Sequence, residues 1–143
     1  MLNINFAAIE SSNRALGRAG EESVVAAERL RLTAAGRDDL AGEVRHVSAV
    51  DGDGLGYDIQ SFQGVTDEPV FIEVKTTRYG KEVPFYISGN EVETSIELGP
   101  AYRLWRLYRH GKPDTGYDRL PGPLTQRARL KPDTYRGLPS VGS

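Results

Sequence analysis

The sequence predicts a single domain of the α/β or α+β class, spanning all 143 residues. Three observations favour this class: a helical pattern over residues 13–35, two strand-like segments at 57–62 and 69–77, and a helix followed by a strand within 88–109. The length suffices for one modest core. We expect that core at about residues 13–110, followed by an irregular Pro- and Gly-rich extension over 111–143.

Composition and charge narrow the functional classes. The chain has no cysteine, which excludes disulfides, thiolate zinc sites and cysteine nucleophiles and suits a cytoplasmic protein. It has no run of 18 apolar residues, and its start lacks the basic-then-apolar pattern of a signal peptide, so we expect no membrane contact. Residues 1–100 carry a net charge of −8 and residues 101–143 a net charge of +6. This asymmetry indicates either a cationic binding face or a solvated surface that balances the acidic half.

The first predicted helix begins with Asn13 as a cap and stops at Gly36. Gly17 and Gly20 each cost such a helix up to about 1 kcal/mol relative to alanine. They indicate either that the helix passes close to another backbone or that its first turn is loose. The helical wheel predicts a small and apolar face that consists of Leu16, Ala19, Gly20, Ser23, Ala27, Leu30 and Ala34.

The segment 43–50 alternates loosely and predicts the first strand, with His46 as a strand-face histidine rather than a catalytic one. A glycine-rich turn follows at residues 51–56. It superficially resembles a Ca²⁺ loop, but it lacks the further acidic positions and the terminal glutamate of an EF-hand. We interpret it as the turn that presents Asp58 at the start of the next strand.

Alternation along residues 69–77 predicts a strand with two unlike faces. Val70, Ile72 and Val74 form a core-like face, whereas Glu73 and Lys75 share the opposite face. One face of this strand is apolar, and the other carries a carboxylate and an ammonium group. This pattern indicates a binding or catalytic site on the charged face.

The second strand supplies a further carboxylate. If the two strands form a hairpin centred near residues 66 and 67, Asp58 lies opposite Lys75 and Gln60 lies opposite Glu73. Asp58 is then diagonal to Glu73 on the same face, about 7–8 Å away or less. A slip of one residue would place Asp58 on the other face. In the favoured register, two carboxylates and a lysine converge, which is a ligand set suited to a hard divalent cation.

Further cations follow along the chain. Arg78 and Lys81 lie in a polar loop where they could contact phosphates, and Ser88 or Asn90 can cap a helix that runs to about Glu97. In the strand at 101–109, Arg103 and Arg106 alternate with aromatic residues. That pattern suits stacking on bases and pairing with phosphates. It equally suits a core strand whose arginines reach solvent, which we favour.

Asp58, followed after fourteen residues by Glu73-Val74-Lys75, resembles the signature of the PD-(D/E)xK nuclease-like superfamily. Tyr57 stands where the superfamily's name has proline, a departure that the superfamily tolerates. Four ordered segments resemble more closely the domain named after the C-terminal region of the plant protein NO VEIN, which is also widespread in bacteria. They are Gly17-Arg18-Ala19-Gly20-Glu21, Gly56-Tyr57-Asp58-Ile59, Ile72-Glu73-Val74-Lys75-Thr76-Thr77 and Phe85-Tyr86-Ile87-Ser88-Gly89-Asn90-Glu91.

This resemblance implies a restriction-endonuclease-like αβββαβ core with a mixed sheet flanked by helices. It implies Mg²⁺ or Mn²⁺ held by Asp58, Glu73, the carbonyl of Val74 and Glu21 of the first helix, with Glu22 as the alternative to Glu21. Lys75 would assist the attack of water on a phosphodiester. Asn90 and Glu91 are characteristic of the resembled domain, and we interpret them as capping and docking residues.

The implied function is that of a metal-dependent nuclease on DNA, with RNA less favoured, in defence or DNA processing. A homodimer or a partner protein within a larger system would be compatible with it. Two alternatives remain. The domain could be a catalytically silent module that binds nucleic acid or a partner protein, or Asp58, Glu73 and Lys75 could form only a surface ion pair worth under about 1 kcal/mol.

Overall fold

The computed structural model of the protein describes residues 6–133 and 137–140. The helices are α1 (Phe6–Ala34), α2 (Asp38–Ala41), α3 (Val47–Asp51) and α4 (Gly89–Leu98). The strands are β1 (Arg45–His46), β2 (Ile59–Phe62), β3 (Pro69–Thr76), β4 (Tyr102–Tyr108) and β5 (Gly116–Pro121).

The strands form one five-stranded mixed sheet in the order β1-β2-β3-β4-β5. β3 and β4 run parallel, with α4 between them in sequence, and the other neighbouring pairs are antiparallel. The predicted αβββαβ order and α/β class are therefore confirmed, and the arrangement is consistent with a restriction-endonuclease-like core. The structure adds β5 at the sheet edge, where the sequence predicted an irregular segment.

The register of β2 and β3 differs from the predicted one by two residues. Gln60 pairs with Phe71 rather than with Glu73. The six-residue loop sets this register, since Gln63 N–H donates to the Glu68 carbonyl at 2.8 Å. A shift of two preserves the alternation of side chains, so Asp58 and Glu73 still share a face. Continued one residue beyond β2, the observed register places Asp58 directly opposite Glu73.

Helix α1 starts seven residues earlier than predicted, at Phe6, and ends before Gly36, whose φ is +76°. Its buried residues are Val25 and a stripe with i, i+4 spacing that comprises Gly20, Val24, Glu28 and Leu32. The predicted apolar face was largely wrong, and Leu30 from that face is 72% exposed. The sequence pattern missed the stripe because it contains the carboxylate Glu28, which Arg31 neutralises at 2.8 Å.

Gly20 lies where α1 crosses β3. A Cβ atom at this position would fall 1.9 Å from Thr76 Oγ1, whereas one at Gly17 would have no neighbour closer than 4.0 Å. The predicted close approach is therefore correct for Gly20, but α1 meets the side chain of Thr76 there rather than another backbone.

The predicted first strand is also shorter than expected. Only Arg45 and His46 pair with β2, and the chain then turns into α3, as Ser48 N–H donates to the Asp58 carbonyl at 3.1 Å.

The core has two parts, one on each side of the sheet. The α1 side centres on Val24, Leu32, Ile59, Ile72 and Trp105, and the α4 side on Tyr102, Leu104 and Leu124.

Candidate metal-binding and catalytic site

Asp58 is fixed at the point where β2 begins. Its N–H donates to the Ile72 carbonyl, and its Oδ2 accepts the N–H of Val74, both at 2.8 Å. Its carboxyl is buried beside that of Glu73, which is only 3% exposed. The hairpin backbone therefore holds two carboxyls together in the interior.

The glycine-rich turn before β2 positions Asp58, as the sequence pattern indicated. Gly56 has a φ of +80°, and a Cβ there would lie 2.2 Å from Thr94 Oγ1. Its carbonyl accepts the hydroxyl of fully buried Tyr102 at 3.0 Å, and Asn90 Nδ2 donates to the Gly54 carbonyl at 3.0 Å. Elements α4 and β4 thus anchor this turn. No sequence signal identified Tyr102 as part of this support.

Burial and nearby negative charge raise the pKa of both carboxyls in the pair. Burial, followed by the charge of Glu21, raises the pKa of Asp58 to about 6, although the Val74 N–H opposes this. Burial and the charge of Asp58 also raise the pKa of Glu73 well above its ordinary value. Without a bound cation, the folded protein therefore resists full ionisation of this pair.

Lys75 lies beside the pair. Its Nζ donates to Glu91 Oε1 at 2.9 Å and lies 3.4 Å from Glu73 Oε1. Burial acts to lower the pKa of Lys75, but the charges of Glu73 and Glu91 outweigh it and leave the pKa raised. Lys75 is therefore a cation at neutral pH.

Glu91 joins this lysine to the start of α4. Its N–H donates to Ser88 Oγ at 3.1 Å, and its Oε1 accepts the Ser88 N–H at 3.2 Å, which completes a capping box. Ser88 is thus the cap, rather than Asn90. The interpretation of Glu91 as a capping residue holds, and the same oxygen also binds Lys75. The Ser-x-x-Glu pattern was visible in the sequence, but the contact with Lys75 had no local signal.

Glu21 has its hydrogen bonds with residues outside the pair. Its Oε1 accepts Ser48 Oγ–H at 2.6 Å and lies 2.7 Å from His46 Nε2. Glu22 is exposed. Within residues 6–133 and 137–140, no three His, Asp or Glu side chains are grouped so as to hold one ion. The structure therefore brings Asp58, Glu73 and Lys75 together, and Glu21 acts on Asp58 only through its charge.

The chemistry of the donor set fits a hard divalent cation. Two buried carboxyls with raised pKa values would be stabilised in their ionised form by a positive ion, and Mg²⁺ and Mn²⁺ prefer oxygen ligands. Asp58 and Glu73 would be the first ligands, helped by the Val74 carbonyl. Glu21 would join them only after leaving His46 and Ser48.

One of the four predicted nucleic-acid contacts, Arg106, lies next to the site, because it is the β4 partner of Lys75 and shares its face of the sheet. Arg78 reaches Ser12 Oγ at 3.4 Å, and Lys81 lies over the Tyr108 ring at 5.9 Å. Arg106 is buried, and its Nη2 donates to the Val83 carbonyl at 2.8 Å. Arg103 lines a cleft on the α1 side of the sheet. None of the four has a hydrogen bond or ion pair with the three clustered side chains in the described part of the chain.

Fold and site together define an α/β domain with a mixed five-stranded sheet and a buried carboxyl pair next to a lysine. The model of the family described as "Protein NO VEIN, C-terminal" matches residues 20–117, so the chain belongs to that family. No curated protein and no solved structure matches the chain. Among the described helices, none is both long enough and apolar enough to cross a bilayer.

Proposed function

We propose that the protein is a metal-dependent phosphodiesterase that cleaves DNA. The observation that carries this proposal is the buried Asp58–Glu73 pair with the Lys75 ammonium 3.4 Å from Glu73. Burying two carboxyls with raised pKa values destabilises the folded protein at neutral pH. Such perturbed groups cluster at sites that bind a ligand or carry out a reaction. Of the ligands that the NO VEIN-like motif implies, Asp58 and Glu73 form this pair, whereas Glu21 is bonded to His46 and Ser48.

Each residue has a distinct role in the proposed reaction. Asp58 and Glu73 would hold Mg²⁺ or Mn²⁺ together with the Val74 carbonyl. When bound, such an ion would polarise the scissile phosphate and lower the pKa of a bound water. Lys75, as a cation fixed by Glu73 and Glu91, suits stabilisation of charge on the phosphate or orientation of water. Its raised pKa makes proton removal by Lys75 the weaker option.

A second candidate function rests on Glu21. Its hydrogen bonds to His46 and Ser48 leave two carboxyls in the cluster, so the domain could bind nucleic acid or a partner protein without cutting. Metal affinity separates the two candidates. If Asp58 and Glu73 are catalytic, they bind Mn²⁺. If they serve only to form an ion pair with Lys75, they do not.

The test is nicking and linearisation of supercoiled plasmid DNA with Mg²⁺ or Mn²⁺, alongside Mn²⁺ binding by calorimetry. We expect metal-dependent cutting that is lost in Asp58→Asn and Lys75→Ala. Lys112→Ala is the matched control, because this exposed lysine is not among the predicted nucleic-acid contacts and lies outside the cluster. Cutting that persists in Lys75→Ala would overturn the assigned role of Lys75. Wild-type protein that neither cuts nor binds Mn²⁺ would overturn the proposed function.

A further inference from the structure

A separate cleft of about 300 Å³ lies on the α1 side of the sheet. Its walls come from the C-terminal half of α1, the β2–β3 hairpin, and strands β4 and β5. Ile72 and Val70 contribute to its lining, and both belong to the core on the α1 side. The alternation of β3 points Glu73 and Lys75 to the opposite side, so this cleft is not part of the candidate catalytic site. Its size is at the lower end for small-molecule pockets.

The cleft carries unbalanced positive charge. Glu28 lines it but is already paired with Arg31, through contacts of 2.8 and 3.0 Å. Arg103 and Arg119 add two further guanidinium groups, and neither forms an ion pair or hydrogen bond with a described residue. Burial lowers the pKa of Arg103, and its Nη1 is buried without an acceptor in the described chain. The buried Arg103 Nη1 is therefore suited to donate to an anion, and the exposed guanidinium of Arg119 can add a second contact.

The cleft also has aromatic surface. Trp105 stacks on Tyr117 with ring centroids 5.3 Å apart, and Arg119 lies over the Trp105 ring at 5.4 Å. Phe62 contributes a further ring from β2. Guanidinium groups pair with phosphate through parallel N–H bonds, and apolar and aromatic surface accepts a base. The combination therefore favours an anion that carries a flat apolar group over a bare anion.

We propose that this cleft binds a nucleoside phosphate, with the phosphate at Arg103 and Arg119 and the base against the apolar lining beside Phe62. Both a free mononucleotide and the terminal phosphate of a nucleic acid strand carry this chemistry. The proposal does not depend on phosphodiesterase activity, because the cleft and the carboxyl pair lie on opposite sides of the sheet.

The chain has a single tryptophan, Trp105, and it lies in the cleft wall, so its fluorescence can report binding in the cleft. AMP titrated into the metal-free full chain should change the emission saturably. Arg103→Gln and Arg119→Gln should each weaken binding by about tenfold or more, since a hydrogen bond to a charged group is worth about 1.5–3 kcal/mol. Arg45→Gln is the matched control, as this exposed arginine lies away from the cleft.

Three comparisons decide the proposal. A Lys75→Ala protein should bind AMP like the wild type even if the proposed nuclease activity is absent, which separates the two hypotheses. Weaker binding of both adenosine and inorganic phosphate than of AMP supports the two-part site, whereas phosphate binding equal to AMP binding overturns the base contact. A 5′-phosphorylated oligonucleotide that competes better than its unphosphorylated form identifies the strand terminus as the source, and competition by AMP alone identifies the free nucleotide. No saturable response to AMP or to the phosphorylated oligonucleotide would overturn the proposal.

Discussion

At the scale of single residues, the buried carboxyl of Asp58 belongs to the candidate metal-binding site and lowers the free energy of unfolding at neutral pH. Its pKa rises from 3.8 to about 6 on folding, mainly through burial. An acid whose folded-state pKa is raised favours the protonated form in the folded protein. Its ionisation therefore removes stability as the pH increases from about 4 to about 6, and the loss is complete above that range. A shift of this size corresponds to at most about 3 kcal/mol.

Asp58→Asn should consequently stabilise the metal-free protein at pH 7. The amide removes the buried charge, and its oxygen can still accept the Val74 N–H. We expect an increase in unfolding free energy of about 1–3 kcal/mol at pH 7 that shrinks towards zero at pH 4. Urea unfolding across this pH range measures it. Asp114→Asn is the control, since that carboxyl is exposed and lies outside the site.

At the scale of elements, α4 does more than cover the sheet. Its capping box shares Glu91 Oε1 with the ammonium of Lys75, so the start of the helix and the position of the lysine are coupled. Helix α1 makes a comparable connection on the other side, where Gly20 lets the helix approach Thr76 of β3. The capping box of α4 and the glycine at position 20 of α1 thus help to set how closely each helix lies against the sheet.

Two variants separate the functions of the α4 start. Ser88→Ala should lower the unfolding free energy by about 1 kcal/mol through loss of the cap and leave the pKa of Lys75 unchanged. Glu91→Gln should keep the cap, because glutamine also serves in capping boxes, and should lower the pKa of Lys75 by removing a neighbouring charge. NMR titration of the Lys75 side chain, with chemical denaturation, measures both. An unchanged lysine pKa in Glu91→Gln would contradict the coupling.

The two glycines of α1 should respond oppositely to alanine. Gly17→Ala should raise the unfolding free energy by up to about 1 kcal/mol, because the position is open and alanine favours the helix. Gly20→Ala should lower it by about 1–3 kcal/mol, since the new methyl group overlaps Thr76. Thermal unfolding compares the pair. Adding Thr76→Ala to Gly20→Ala should recover part of the loss, and no recovery would place the cause elsewhere.

At the scale of the whole molecule, the C-terminal part belongs to the fold. Strand β5 pairs with β4 from Arg103 to Tyr108, and Leu124 is fully buried in the cluster around Tyr102. The Leu124 N–H also donates to Ser95 Oγ of α4 at 3.1 Å. The predicted core boundary near residue 110 therefore cuts through packed structure, and the family match likewise extends into β5, to residue 117.

A chain that ends at Gly111 should therefore fail to fold cooperatively or should aggregate. It would expose the edge of β4, and the loss of a buried leucine alone costs about 2–5 kcal/mol. A chain that ends at Leu130 keeps β5 and Leu124 and is the matched control. Circular dichroism melting and gel filtration compare them. Native-like melting of the shorter chain would show that residues 13–110 suffice.

The sequence by itself determined the alternation of β3, the glycine turn, the order of the main elements and the set Asp58, Glu73 and Lys75. These features follow from local periodicity and from ordered motifs, which each segment carries without its neighbours. Strand parity placed Asp58 and Glu73 on one face even though the predicted register was shifted by two residues, because side chains repeat every second residue.

Only the tertiary structure decided the buried stripe of α1, strand β5 and the partners of the site residues. Glu28 can be buried because Arg31 neutralises its charge. A hydropathy pattern does not show that these two side chains form an ion pair. The contacts of Lys75 with Glu91, of Glu21 with His46, and of Tyr102 with Gly56 join segments 16 to 46 residues apart. Such contacts depend on how helices and strands pack, and packing is a property of the assembled chain rather than of any one segment.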